Sequence, residues 1–206
     1  MATLDEPDAS PPSAGGVAPA AAPGQPAASE AVPAPAAADA AALPPRIDRR
    51  FLFASPWHFI ALGAGSGLPR FAPGTWGTLA GWALFALLDP VCSDLAWLGL
   101  IAAGLCVGAW AAQRTAAAIG QADSGHIVID EVVAFWVVLA MLPDNVEFKG
   151  LQHSIAFVLF RFFDIVKPPP IRWLDARIKN GIGVMLDDLV AAFFTLLVFA
   201  LWLRLA

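Results

Sequence analysis

The sequence predicts an all-α, multi-helix membrane protein with about five apolar helices, a functional site at the cytoplasmic face and a disordered N-terminal tail. Its 206 residues have a mean hydropathy of +0.67 and only 14% of them are charged, which is too apolar for an ordinary soluble domain. Apolar runs recur along the chain, several of them close to the length that spans a bilayer. Two runs begin with a pair of carboxylates, Asp130 with Glu131 and Asp187 with Asp188.

Residues 1–45 form the predicted tail, because they consist mostly of Ala and Pro. Proline at this density prevents helix formation, and the segment has too few large apolar side chains to build a core. The tail contains five acids and no Lys or Arg, so it accounts for the whole net charge of −5. Residues 46–206, the predicted membrane-embedded domain, have balanced charge. They lack the excess of basic residues that would indicate a nucleic-acid partner.

Six apolar stretches follow the tail. The first, 51–62, is interrupted by Pro56, and a Gly- and Pro-rich loop follows at 63–78. This loop is either a tight turn between helices or a nest of backbone N–H groups that binds an anion together with Thr75 and Thr78. The five longer runs predict spanning helices at about 76–90, 95–112, 127–143, 151–166 and 186–203.

The basic residues predict the orientation of these five spans. Loops rich in Lys and Arg stay in the cytoplasm, and the rich segments here are the residues before the first run and 167–185; the loop 113–126 adds Arg114. The opposite loops at 89–94 and 144–150 contain only Lys149. This topology places the 63–78 loop and both carboxylate pairs on the cytoplasmic side.

A carboxylate pair at the start of an apolar helix is costly unless it is paired, hydrated or bound to a cation. Asp130 and Glu131 are adjacent, so on a helix they point about 100° apart and could serve one ion only at a helix start, or with one as ligand and the other as base. A favourable interaction with the positive helix end is the competing explanation. Because sulfur and imidazole ligands are scarce in this chain, the acids suit Mg²⁺ or Mn²⁺ rather than zinc.

A third acid lies between the two pairs. Asp164 is three residues from both Arg161 and Lys167, so the three side chains can face one site. Pro168 disfavours helical geometry at Lys167 and therefore ends the helix. A local salt-bridge cluster is one interpretation. The other is a site for an anionic phosphate group, which these basic side chains and Arg172 would favour.

Four motifs between about Gly63 and Ala191 together resemble a known family. They are Gly-Ser-Gly-Leu-Pro at 65–69 followed by Pro-Gly-Thr-Trp-Gly-Thr at 73–78, Asp123 with Ile-Val-Ile-Asp-Glu-Val at 127–132, Phe-Arg-Phe-Phe-Asp-Ile-Val-Lys-Pro at 160–168 with Asp175, and Gly-Ile-Gly-Val-Met-Leu-Asp-Asp-Leu-Val-Ala at 181–191. The family they resemble is phosphatidylglycerophosphatase A. Ala134 and Asn180 stand where that family often has Gly, and neither difference removes a charge.

The resemblance implies a Mg²⁺-dependent lipid phosphatase of the bacterial inner membrane. Its reaction converts the phospholipid phosphatidylglycerophosphate to phosphatidylglycerol and inorganic phosphate. The expected Mg²⁺ ligands are Asp130, Glu131, Asp164, Asp187 and Asp188. The expected catalytic residues are Asp130, Glu131, Asp164, Lys167 and Asp175. The residues expected to bind the substrate phosphate are Lys167, Arg161, Arg172, Thr75 and Thr78.

Two other functions fit part of the pattern. A divalent-cation transporter would explain carboxylates in apolar helices, although its acids are expected near the middle of a span. A CDP-alcohol phosphotransferase would need Gly where Ala176 stands and Asp where Ala191 stands. Ion flux, CMP release and phosphate release distinguish the three activities.

Overall fold

The computed structural model describes residues 45–121, 124–143, 148–169, 171, 173 and 181–205. Their regular structure is entirely helical, as predicted, with no strand among these residues. The α-helices are α1 (Arg49–Phe53), α2 (Pro56–Ala61), α3 (Pro73–Leu88), α4 (Asp94–Ile119), α5 (Ile129–Met141), α6 (Lys149–Val166) and α7 (Gly181–Leu205), with a 3-10 turn at Gly63–Gly65. Apart from Pro45, the predicted tail lies outside the described residues, and its disorder remains a prediction.

Capping and backbone-restricting residues fix the helix ends. Pro56 begins α2, where its missing N–H costs nothing, and the Ser55 hydroxyl accepts a hydrogen bond from the Trp57 N–H. The helix α4 ends at Ile119, and the following Gly120 has a φ of 75°, which is readily adopted only by glycine. The helix α6 ends at Val166, and the following Lys167 has a φ of 43°. The predicted break before Pro168 is therefore confirmed, with Lys167 in the left-handed region.

The short helix α5 lies at the centre of the bundle, in contact with α3, α4, α6 and α7. Most of its side chains are buried, including Phe135 and Val138. The helix α3 approaches it closely because Gly77 and Gly81 face it: a Cβ on Gly81 would lie 3.1 Å from the Val132 Cα atom. The Trp136 Nε1–H also donates a hydrogen bond of 2.9 Å to the Gly81 carbonyl oxygen. The pairing of α3 with α5 thus fixes the position of the first carboxylate pair.

Among the described residues, two helices are long and apolar enough to cross a membrane, α4 with 26 residues and α7 with 25. At 1.5 Å per residue each is nearly 40 Å long, more than the roughly 30 Å of a hydrocarbon core. The helix α5 has only 13 residues, about 20 Å, and is largely enclosed by protein. All five predicted runs are helical, but the prediction of five spans is not confirmed.

Successive helices from α3 to α7 run in alternating directions. The start of α3 contacts the start of α5, because Gly74 lies against Glu131. Gly108, in the second half of α4, lies against both Ile129 of α5 and Met185 of α7. The end of α6 joins the first turns of α7 through Lys167, which pairs with Asp187. We call the end of the bundle that holds Asp130, Glu131, Asp187 and Asp188 the acidic end. The sequence correctly predicted that both carboxylate pairs would lie at one end.

Candidate metal and phosphate site

Three carboxylates converge at the acidic end. Asp130 and Glu131 lie in the first turn of α5, and Asp188 lies in the second turn of α7. One oxygen from each of the three lies within 4.8 Å of the others, and all three residues are buried. Adjacent residues can converge in this way because they stand at a helix start, which is the condition that the sequence set for a shared ion.

Several oxygens of this cluster lack partners. Asp130 Oδ1, Glu131 Oε2 and Asp188 Oδ2 are each buried without a hydrogen bond from any residue that the structure describes. An orphaned buried carboxylate oxygen is costly, and a bound cation is one way to offset that cost. An all-carboxylate set with free oxygens fits a hard divalent cation such as Mg²⁺, which prefers oxygen ligands.

Burial also changes the protonation of the two acids on α5. Burial raises the pKa of the Asp130 carboxyl well above its ordinary value, and the nearby Glu131 and Asp188 carboxylates raise it further. Burial likewise raises the pKa of Glu131, an effect that the Arg161 guanidinium partly opposes. A cation would compete with protons for these oxygens, since metal ligands must be deprotonated.

The remaining two predicted metal ligands are already paired with basic residues. Asp164 Oδ2 forms an ion pair with Arg161 Nη1 at 2.7 Å, and Asp187 Oδ2 accepts a hydrogen bond of 2.6 Å from Lys167 Nζ. The five predicted ligands therefore divide into a buried cluster of three and two ion-paired acids beside it. Asp187 and Asp188 diverge because adjacent residues on a helix point in different directions.

Arg161 and Thr78, both predicted to bind phosphate, contact each other, and Arg161 also lies next to Glu131 of the cluster. The Thr78 side chain is fully buried, and its hydroxyl donates a hydrogen bond of 2.8 Å to the Gly74 carbonyl oxygen. Arg161 Nη1 makes a long contact of 3.4 Å with that same hydroxyl, and its side chain is only 13% exposed. Thr75, by contrast, is half-buried on the first turn of α3.

The structure does not describe every residue of the predicted motifs. Arg172, Asp175 and Asp123 lie outside the described residues, so the roles expected of Arg172 and Asp175 remain predictions. His126 has a structural contact: its Nδ1 atom lies 2.6 Å from the Gly67 carbonyl oxygen. The glycines of the 63–78 loop pack closely against neighbouring segments, since a Cβ on Gly67 would overlap the His126 backbone. This close packing favours a tight turn, rather than an anion-binding nest, as the interpretation of the first part of that loop.

Gly74 is a site residue to which the sequence gave no role of its own. A Cβ at this position would overlap Glu131 Oε1 and would lie 3.0 Å from Arg161 Nη2. Glycine is therefore what lets the start of α3 approach the acidic cluster. The available signal was the pairing of Gly74 with Thr78 four residues later, because a buried threonine commonly bonds the carbonyl of residue i−4.

Comparisons with known proteins identify the family of this chain. The family model described as "Phosphatidylglycerophosphatase A" matches residues 59–203. A protein of that name from Haemophilus influenzae is 42% identical over 70% of this chain and 86% of its own length. The Escherichia coli protein of that name is 39% identical over 69% of this chain and 80% of its own length.

A third relative has a different name. It is a Bacteroides thetaiotaomicron protein, provisionally named a phosphatidylinositol-3-phosphatase, that is 37% identical over 68% of this chain and 89% of its own length. No solved structure matches the chain. The family match covers most of the chain and includes every described residue of the acidic cluster. The chain belongs to the phosphatidylglycerophosphatase A family, as its four motifs predicted.

Proposed function

We propose that this protein hydrolyses the terminal phosphomonoester of phosphatidylglycerophosphate in a Mg²⁺-dependent reaction, as an integral protein of the bacterial inner membrane. The products are phosphatidylglycerol, a membrane phospholipid, and inorganic phosphate. The names of the two relatives from Haemophilus influenzae and Escherichia coli support this substrate. The observation that carries the proposal is the cluster of three buried carboxylates with unpartnered oxygens, beside a lysine that belongs to the same end of the bundle.

Asp130, Glu131 and Asp188 are the proposed Mg²⁺ ligands. When bound there, the ion would neutralise phosphate charge and lower the pKa of a coordinated water. Asp164 and Asp187 are held by Arg161 and Lys167, so we place them next to the ligands rather than among them. Their ion pairs limit the net negative charge around the cluster, which would otherwise repel an anionic substrate.

Lys167 is the proposed contact to the transferring phosphoryl group. Its ammonium group lies 2.6 Å from Asp187, the neighbour of the cluster residue Asp188, and its side chain remains partly exposed. A fixed positive charge there stabilises the charge on the phosphoryl oxygens in the transition state. Thr75 and Arg172 remain proposed contacts to the same phosphate.

The bond changes in this reaction follow from the substrate. The bond between phosphorus and the oxygen of the terminal glycerol breaks, that oxygen takes a proton, and an oxygen from water joins the released phosphate. Trapping of an aspartyl-phosphate would indicate that a carboxylate of the site attacks first. Its absence, with water-derived oxygen entering in a single turnover, would indicate direct attack by water.

The distribution of basic residues supports a cytoplasmic location for the acidic end. Arg49 and Arg50 of α1, Arg114 in the last two turns of α4 and Lys167 after α6 lie at this end, whereas Lys149 at the start of α6 and Arg204 in the last turn of α7 lie at the other. Lys and Arg favour the cytoplasmic side of a membrane. We therefore propose a multi-pass arrangement in which α4 and α7 span the bilayer and the shorter helices pack against them. Labelling of single cysteines from each side of the membrane tests this orientation.

The third relative supports a second candidate substrate, phosphatidylinositol 3-phosphate. Both lipids present a phosphomonoester on a polyol head group, so the same cluster could act on either. The two relatives of higher identity favour the glycerol lipid as the preferred substrate.

The transporter and the phosphotransferase find less support. The cluster acids lie in the first turn of α5 and the second turn of α7, not at mid-helix as an ion path would require. The position where a CDP-alcohol phosphotransferase needs an acid is Ala191, which is fully buried in the apolar core.

The test is phosphate release by the purified full-length protein in detergent. Phosphatidylglycerophosphate and phosphatidylinositol 3-phosphate are supplied separately, each with Mg²⁺ or with EDTA, and Asp130→Asn is assayed in parallel. We expect Mg²⁺-dependent release that is fastest with phosphatidylglycerophosphate and is lost in Asp130→Asn. Release that is unaffected by EDTA would contradict the metal site, and preferential release from the inositol lipid would contradict the substrate.

A further inference from the structure

We propose that Arg161 and Thr78 form a positioning pair that orients the Glu131 carboxylate within the metal-binding cluster, and that neither residue contacts the substrate phosphate. This inference rests on the proposed metal site. It changes the role that the sequence predicted for both residues, which was phosphate binding.

The first observation is that one guanidinium nitrogen joins three helices. Arg161 Nη1 lies 2.7 Å from Asp164 Oδ2, 3.4 Å from Thr78 Oγ1 and 3.7 Å from Glu131 Oε1. Asp164 is on α6, Thr78 on α3 and Glu131 on α5. The short ion pair with Asp164, three residues away on the same helix, fixes the position of the guanidinium. The arginine therefore contacts Thr78 and Glu131 from a fixed position.

The second observation concerns how Thr78 is held. Its fully buried hydroxyl has one proton, which it donates to the Gly74 carbonyl oxygen one turn earlier at 2.8 Å. The hydroxyl oxygen therefore faces Arg161 as an acceptor, which suits a group that can only donate. A buried hydroxyl engaged on both sides has no capacity left for a phosphate. Thr78 thus fixes the guanidinium from the α3 side.

The third observation is the lack of space around Glu131. A Cβ on Gly74 would overlap Glu131 Oε1 and would lie 3.0 and 3.1 Å from the two terminal nitrogens of Arg161. Glu131 Oε1 is therefore confined between the backbone of α3 and the guanidinium. Its other oxygen, Oε2, is buried without a described partner and belongs to the carboxylate that joins the cluster. One oxygen is held by the protein and the other is left available for a ligand.

Residues that contact a metal-binding side chain set its orientation. Their removal typically lowers metal affinity by about 10- to 100-fold. A phosphate contact would behave differently. Its loss would raise KM for the lipid at saturating metal and leave metal affinity unchanged. The two roles can therefore be separated by measuring metal binding without any substrate.

The experiment compares Thr78→Val, Thr78→Ser and Thr195→Val in the full-length protein in detergent. Thr195 is a matched control, because it is also fully buried and donates the same type of bond, 2.9 Å to the Ala191 carbonyl oxygen, but lies two turns beyond Asp188 on α7. Mn²⁺ binding is measured by electron paramagnetic resonance without lipid, and kcat and KM are measured at saturating Mg²⁺. Thermal unfolding in EDTA checks that each variant is folded.

We expect Thr78→Val to weaken Mn²⁺ binding about tenfold with little change in KM at saturating metal. Thr78→Ser retains the hydroxyl and should restore the affinity, and Thr195→Val should bind Mn²⁺ as the wild type does. Arg161→Lys retains the charge but loses the planar fork, so it should also weaken Mn²⁺ binding. Unchanged Mn²⁺ affinity in Thr78→Val, or a raised KM as its main defect, would overturn the inference. Failure of the wild-type protein to bind Mn²⁺ would instead contradict the proposed metal site.

Discussion

Two lysine–aspartate ion pairs of almost equal length lie at opposite ends of the helical bundle. Lys149 Nζ lies 2.7 Å from Asp89 Oδ2, and Lys167 Nζ lies 2.6 Å from Asp187 Oδ2. The first pair is the more exposed, with 40% of the lysine and 28% of the aspartate side chain accessible, against 28% and 9% for the second. The geometry of the pair itself does not distinguish an ordinary surface contact from a functional one.

The surroundings of the two pairs do distinguish them. Asp187 is followed by Asp188, which belongs to the cluster of buried carboxylates with Asp130 and Glu131. Asp89 belongs to no such group among the described residues. At the acidic end the protein buries negative charge without full compensation, which is costly for folding and useful only if a cation binds. The following predictions test whether this difference has the functional meaning proposed for it.

The largest effect is expected from removing one charge of the cluster. Asp130→Asn retains the size of the side chain but replaces a proposed metal-binding oxygen and removes the charge proposed to attract the cation. We expect phosphate release to fall by at least about 100-fold, since metal-assisted stabilisation contributes several kcal/mol to the transition state. Initial rates at increasing Mg²⁺ concentration measure the effect. Activity within a few-fold of the wild type at every concentration would remove Asp130 from the metal site.

The second prediction compares the two lysines directly. Lys167→Ala should lower kcat by about 100-fold or more, as expected when one fixed charge at the reacting group is lost, while Mg²⁺ binding stays largely intact. Lys149→Ala removes an ion pair of the same length at the other end and should retain kcat within about twofold. The measurement is kcat together with Mn²⁺ affinity for both variants. Equal activity of the two variants would mean that Lys167 has no contact with the phosphoryl group.

The third prediction concerns pH and uses the raised pKa of Asp130 and Glu131. Burial raises these values above the unfolded ones of about 4, so the metal-free protein loses stability as pH rises from there through the folded values. Mg²⁺ binds the deprotonated carboxylates and offsets that loss. The rise in Tm caused by Mg²⁺ should therefore be larger at pH 8 than at pH 5.5, measured by thermal unfolding against EDTA. A Mg²⁺ effect that is independent of pH would be inconsistent with binding by these two acids.

The smallest effect is expected at the exposed ion pair. Asp89→Asn should change the free energy of unfolding by less than about 1 kcal/mol, because a solvent-exposed pair is weakened by screening and by side-chain entropy. Activity should not change. Chemical denaturation of the detergent-solubilised protein, with phosphate release as the control, checks both statements. A large loss of activity would mean that the two ends of the bundle are functionally coupled.

The sequence was sufficient to predict several features of the site. A carboxylate in an apolar run is costly, and this indicated Asp130, Glu131 and Asp188 as candidate metal ligands. The end of the helix at Lys167 followed from the proline after it. Charge distribution also predicted that both carboxylate pairs share one end. These inferences depend only on local sequence and on strong energetic rules.

Other features depended on packing between helices that are distant in sequence. The division of the five acids into a cluster of three and two ion-paired residues follows from the direction of each side chain, which the sequence does not specify. The roles of Gly74 and Thr78 depend on how closely α3 approaches α5, a distance set by tertiary contacts. The number of spans remains a prediction, because α5 is a buried helix and burial by protein selects the same apolar residues as burial by lipid.

The most direct test of the central claim is a Mg²⁺ titration of wild type, Asp188→Asn and Asp89→Asn, with binding by calorimetry and phosphate release from phosphatidylglycerophosphate measured on the same preparations. The account predicts that wild type and Asp89→Asn bind Mg²⁺ equally and are equally active, whereas Asp188→Asn loses both properties together. Retained Mg²⁺ binding and activity in Asp188→Asn would contradict the proposal that this buried carboxylate cluster is the metal site of the phosphatase.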